Sequence, residues 1–147
     1  MQTRLQQLYF YIGIELHRRF TMIIGIGTDI VEISRIKKAL KNKRFIERVF
    51  THQEIIYCES RGVQAPASYA ARFAGKEAVL KAFGTGLVGG TLLDIEILPD
   101  KKGCPSVQLY KYFDDKAKNM GVTHIYISLS HAQMYATAQV IFWGESK

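Results

Sequence analysis

The sequence predicts an α+β fold. A strand pattern at Met22 to Val31 is followed by a Pro-free, Ala-rich helical stretch from Ala67 to Phe83, and the remaining strands and helices are interspersed without a regular strand–helix repeat. With 147 residues and 48% hydrophobic content, the chain has the size and apolar fraction to bury a core of its own. Residues 22–147 are expected to form a single domain and residues 1–21 an extension of unknown role.

The first element alternates. Ile24, Ile26, Thr28 and Ile30 share one face, and Ile23, Gly25, Gly27, Asp29 and Val31 the other. Two glycines on the second face remove side chains just before an acidic residue, which leaves room for a bulky group or another backbone beside Asp29. Ile33, Ile36 and Leu40 then mark a helix by their spacing, and the basic residues fall on its other faces. From Arg35 to Arg48 there are seven basic residues, Arg35, Lys37, Lys38, Lys41, Lys43, Arg44 and Arg48, against Glu47 alone. The stretch therefore carries most of the net charge of +7, and such a field favours encounter with an acidic partner. A solvated helix face is the plain alternative.

Thr51 followed by Glu54 has the form of a capping box, so a short helix is expected to run from there to about Arg61, with a loop through Gly62 and Pro66. On the Ala67–Phe83 helix, Tyr69, Phe73 and Leu80 form a bulky stripe opposite a small-residue face of Ala71, Ala74, Gly75, Ala78 and Ala82. A helix apolar on two sides is expected to be buried, and Gly84 and Gly86 stop it. Leu92–Leu98 reads as a strand, Pro99–Gly103 as a turn and Ser106–Leu109 as the partner strand. Tyr110–Met120 reads as a helix ended by Gly121. The last two strands, His124–Ser130 and Met134–Trp143, are expected to join through His131 and Ala132.

Composition narrows the setting. No run of about 18 apolar residues is present to span a membrane. Glu15, His17, Arg18 and Arg19 stand where a secretory signal would place small residues. Cys58 and Cys104 are lone residues, which argues against a zinc knuckle or redox pair and fits a reducing cytoplasm.

Common catalytic motifs fail. The dinucleotide fingerprint that Gly25 and Gly27 begin has Ile30 at its third glycine position, and no phosphate-loop, zinc-helix or serine-elbow motif occurs. Ser130 and His131 are adjacent on a strand and point to opposite faces; alone, His131 reads as a turn residue. What stands out is a pair of carboxylates, Asp29 and Glu77, with three cations, Arg72, Lys76 and Lys81, on the helix that carries Glu77. Two carboxylates together with substrate phosphates suit magnesium, and cations suit the remaining phosphate charge, a pattern of phosphoryl transfer. Glu77 and Lys81 also fit a simple helix salt bridge worth about 0.3–0.5 kcal/mol.

Four ordered segments, IGIGTDIVEISRI (24–36), FTHQEIIYC (50–58), RFAGKEAVLKAFGTG (72–86) and ISLSHA (127–132), resemble holo-acyl-carrier-protein synthase, the short bacterial type of 4′-phosphopantetheinyl transferase. The resemblance implies that family's fold, an antiparallel sheet packed around a long central helix, assembled as a homotrimer with each coenzyme A site between two protomers. It implies transfer of 4′-phosphopantetheine from coenzyme A to a serine of apo acyl carrier protein, releasing adenosine 3′,5′-bisphosphate, with Mg2+ as cofactor, in the cytoplasm and in service of fatty acid synthesis. By the same likeness Asp29 and Glu77 are metal ligands, with Glu77, directly or through a metal-bound water, as base. Lys81 contacts pyrophosphate, and Arg72, Lys76 and His131 join it in binding coenzyme A. The basic helix, through Arg35, Lys38, Lys41 and Arg44, docks the carrier protein.

The chain departs from the family pattern at Leu92 and Leu93, before Asp94, and at Ala132, after His131, which bears on the nucleotide contacts. A nucleic-acid-binding module using the basic patch is the rival reading, but it leaves Asp29, Glu77 and Lys81 unexplained, and aromatics are not interleaved with the basic residues. A related transferase that acts on a carrier domain of a larger synthase is a second.

Overall fold

The computed structural model describes residues 20–145, so the expectation for residues 1–21 lies almost wholly outside the described residues. Two antiparallel sheets flank one buried helix. Strand β1 (Thr21–Glu32) leads into two short helices, α1 (Ile33–Ala39) and α2 (Lys43–Val49), then α3 (His52–Glu59) and the long α4 (Ala65–Phe83). A hairpin of β2 (Ile95–Pro99) and β3 (Pro105–Leu109), helix α5 (Lys111–Met120), and strands β4 (Val122–His131) and β5 (Tyr135–Glu145) complete it. The three-stranded sheet has the order β1-β5-β4 and is antiparallel throughout. Among the described residues no helix is long and apolar enough to cross a membrane.

Helix α4 is the hub. Its small-residue face is buried, as are Tyr69 and Leu80 of its bulky stripe, while Phe73 is partly buried against the core. The small face lies on β1 so closely that a Cβ on Gly27 would stand 1.9 Å from the carbonyl oxygen of Ala78, and one on Gly25 2.3 Å from that of Ala82. The space cleared before Asp29 is therefore filled by the backbone of α4. Ala136, Ala138, Val140 and Phe142 of β5 extend the same buried face. At the edge of the same face, Gly75 packs under Ile97 of β2, where a Cβ would meet the isoleucine methyl at 2.5 Å. Gly84, with φ of 73°, takes the left-handed conformation that ends α4.

Several boundaries differ from the sequence reading. The basic stretch is two helices, because Asn42 breaks it and accepts a hydrogen bond from the backbone N–H of Arg44 as N-cap of α2. Pro66 lies in the first turn of α4 rather than in a loop, at a position where its missing N–H costs nothing. Leu92–Asp94 is a 3-10 turn instead of strand, since Asp94 accepts from the N–H and hydroxyl of Thr91 and curls the chain before β2. His131 ends β4, paired with Ala136, and the connection lies beyond it, closed by the N–H of Ala132 donating to the Tyr135 carbonyl.

The capping box at Thr51 and Glu54 forms as expected, and it continues into a buried network. Glu54 accepts from the N–H groups of Thr51 and Ile97 and pairs with Lys76 at 2.7 Å, both side chains fully buried. Lys76 also donates to the carbonyls of Leu92 and Ile95. Burial pushes the Glu54 carboxyl up and the Lys76 ammonium down, each opposed by the charge of the other. Removing one partner of such a pair strands the other. Lys76→Met should lower unfolding free energy by about 3–5 kcal/mol in denaturant titration. Because Glu54 would then have a folded pKa further above its ordinary 4.5, the deficit should be smallest at acidic pH and grow as pH rises towards neutral. A second change, Glu54→Gln, should recover part of the loss.

Candidate active site

Strand β1 and helix α4 bring the predicted acid pair and one cation together. The Lys81 ammonium donates to the Asp29 carboxylate at 2.8 Å and to the carbonyl of Thr28 at 2.9 Å. Lys81 keeps 54% of its side chain exposed while Asp29 keeps 17%, so the ammonium lies at the surface over a mostly covered carboxylate. The hydroxyl of Thr137 on β5 donates to the Asp29 carbonyl, and that of Thr28 to the Ala138 carbonyl, which fix this end of β1 on its neighbour. Glu77 precedes Lys81 by one turn on α4. Burial, then the negative charge of Asp29, pushes the Glu77 carboxyl up, while Lys81 pulls it down. Glu77, Leu80 and Lys81 line a cavity of ≈ 420 Å³ with Gly84, Gly86 and Leu87 from the loop after α4.

Among the described residues no cluster of three or more His, Cys, Asp or Glu forms a closed metal cage. Two carboxylates close enough that the charge of Asp29 helps raise the proton affinity of Glu77 fit a hard cation that completes its shell with water and phosphate oxygens. The residues present fit magnesium in that open form.

Arg72 and His131 lie elsewhere. Arg72 is five residues before Glu77, which turns it about 140° around α4. It lines a second cleft of ≈ 410 Å³ between α3, α4, the β2–β3 hairpin and the end of β4, with His131 on the rim. Arg72 is 5% exposed. One terminal nitrogen donates to the carbonyl and hydroxyl of Ser68, and the guanidinium lies 4.1 Å from the centroid of the Tyr57 ring. Its Nε has no hydrogen-bond partner among the described residues although it is buried, a cost that native structures rarely leave standing.

Lys76 belongs to neither cleft. Its three N–H bonds go to Glu54, Leu92 and Ile95, and its exposure is 0%, so the expectation that it binds coenzyme A is replaced by a structural role. Arg35, Lys38, Lys41 and Arg44 are all exposed on α1 and α2 and the turn between them, while Ile36 and Val49 anchor the two helices to the core. The sequence reading missed Tyr57 and Arg61, both in the second cleft. Their separation of four residues at the end of a helix was a readable signal.

The sequence model of the 4′-phosphopantetheinyl transferase superfamily matches residues 25–140. A holo-acyl-carrier-protein synthase of Ruminiclostridium cellulolyticum is 49% identical over 125 residues, covering 82% of this chain and 93% of that protein. The fold matches a Plasmodium yoelii acyl carrier protein synthase with ADP bound at TM-score 0.75 and 37% identity, covering 86% of this chain and 99% of that one. It matches a Helicobacter pylori holo-acyl-carrier-protein synthase in complex with coenzyme A at TM-score 0.70 and 34% identity, covering 80% and 98%. A match over most of both chains, together with the carboxylates and lysine gathered on β1 and α4, means that this chain belongs to the holo-acyl-carrier-protein synthases of the 4′-phosphopantetheinyl transferase superfamily.

Proposed function

We propose that the chain transfers the 4′-phosphopantetheine arm of coenzyme A to a serine of apo acyl carrier protein and releases adenosine 3′,5′-bisphosphate. The observation that carries this is the meeting of Asp29, Glu77 and Lys81 across the β1–α4 contact, beside an open cavity. In the reaction the serine oxygen bonds to the phosphorus next to the pantetheine arm, the bond from that phosphorus to the bridging oxygen breaks, and the bridging oxygen leaves on the nucleotide. Asp29 and Glu77 would hold magnesium, which when bound neutralises pyrophosphate charge. Lys81, with two N–H bonds held by Asp29 and Thr28, keeps a third for a phosphate oxygen. Burial and the Asp29 charge strengthen the Glu77 carboxylate as a proton acceptor, which suits it to take the serine proton.

The two clefts lie on different faces of α4, and that separation supports a site completed between protomers of a homotrimer. The outer face of the three-stranded sheet supports the same assembly: Ile26, Ile141 and Tyr126 form one row across β1, β5 and β4, and Ile26 and Tyr126 are 58% and 55% exposed. The positive field of α1 and α2 suits an acidic carrier protein and a cytoplasmic setting in fatty acid synthesis.

Incubated with this protein, coenzyme A and magnesium, apo acyl carrier protein should gain the mass of one phosphopantetheine arm; an unchanged mass would sink the transferase reading. Asp29→Asn and Glu77→Gln should each lower kcat about a hundredfold or more while melting like the wild type. Full turnover in either would contradict its assigned role. Arg35→Glu with Lys38→Glu should raise KM for the carrier protein about tenfold and leave KM for coenzyme A unchanged.

A further inference from the structure

The segment that leaves α4 lies against α5 and forms one wall of the cavity beside Glu77 and Lys81. Gly84 and Gly86, with φ of 73° and 63°, turn the chain out of the helix. Among the described residues no backbone hydrogen bond holds residues 85–90. Their far end is seated by close contact: a Cβ on Gly89 would meet the Tyr112 ring at 2.5 Å, and one on Gly90 the Phe113 ring at 2.6 Å. Their near end is seated by Lys116, whose ammonium donates to the Thr85 hydroxyl.

Lys116 follows Tyr112 by one turn of α5 and is half-buried. Its ammonium lies 5.4 Å from the centroid of the Phe83 ring and 5.6 Å from that of Tyr112, and both faces attract a cation. Asp114 on the same helix pairs with Lys118, and Lys116 has no ion pair among the described residues. Two rings therefore place its charge, and the hydroxyl of Thr85 receives its hydrogen bond. Between the two seated ends, Gly86 and Leu87 line the cavity. A segment without backbone hydrogen bonds samples many conformations unless it is tied, and a ligand that needs one of them binds more weakly by the fraction of time that one is populated. Resting on the transferase reading above, we infer that Lys116 is a positioning residue, which through Thr85 holds Gly86 and Leu87 in the conformation that receives coenzyme A beside Lys81. It acts through the loop, so its loss is felt in binding and not in the chemical step.

Calorimetric titration of the whole protein with coenzyme A in magnesium, alongside transfer kinetics, tests this. Lys116→Met keeps the side-chain stem over the rings and removes the donor; it should weaken coenzyme A binding about fivefold and leave kcat and the KM for carrier protein within about twofold of the wild type. Thr85→Val should show the same loss, and the double variant no more than either single change, because both break one tie. Lys116→Arg, which keeps a cationic donor, should bind like the wild type. Thermal melts check that each variant is folded. Unaltered coenzyme A affinity in Lys116→Met, wild-type binding in Thr85→Val, additive losses in the double variant, failure of Lys116→Arg to retain binding, or a fall in kcat at unchanged KM would each overturn the proposal. Coenzyme A binding that follows the expected pattern without any arm transfer would sink the transferase reading and leave the role of Lys116 in place.

Discussion

The approach of helix α4 to strand β1 is the constraint on which the rest of the molecule depends. Gly25 and Gly27 let the carbonyls of Ala82 and Ala78 lie where side chains would otherwise stand, and the small face of α4 follows the strand down to Asp29. At that depth Lys81 reaches the Asp29 carboxylate with a direct hydrogen bond, and Glu77 lies near enough to feel its charge. A larger residue at either glycine would lift the helix. The cost would fall on the geometry of three functional groups as well as on packing, because a rigid helix moves them together.

The opposite side of α4 is fixed by different chemistry. Lys76 and Glu54 are fully buried and satisfied by one another and by backbone groups of Thr51, Leu92, Ile95 and Ile97. This network ties α3, the turn before β2, and β2 itself to the helix that carries Glu77 and Lys81. Apolar side chains hold position by volume, whereas this cluster specifies direction and register, since every donor has one acceptor to meet. Arg72 is the exception on the same helix. Its buried Nε–H has no acceptor among the described residues.

Much of this was legible in the sequence, for reasons that differ by element. The alternation of β1 from Gly25 to Val31, the two-sided burial of α4, the capping box at Thr51 and the glycine stops at Gly84 and Gly121 are local signals, and local physics governs them. A bulge between Ile23 and Gly25 reverses the expected faces upstream, leaving Ile23 exposed and Ile24 packed on the core. What occupies the space cleared by Gly25 and Gly27 depends on a helix some fifty residues away in the chain, beyond any local pattern. Lys76 shows the limit most clearly. It follows Arg72 by one turn on α4, and the family likeness makes both of them coenzyme A ligands. Its partner Glu54 already had a role as a cap, and only packing reveals that the same carboxylate meets the lysine. The turn at Leu92–Asp94 was hidden similarly, because two leucines read as strand until Thr91 and Asp94 claim each other's hydrogen bonds.

The most direct test of the account is the transfer rate of Gly27→Ala, measured where circular dichroism shows the variant folded. The account predicts that the added methyl, which would meet the Ala78 carbonyl, displaces α4 and lowers kcat about a hundredfold while the fold persists with modest destabilisation of about 1–3 kcal/mol. Folded protein with transfer near the wild-type rate would show that the close approach of α4 to β1 does not set the site, and would contradict the account.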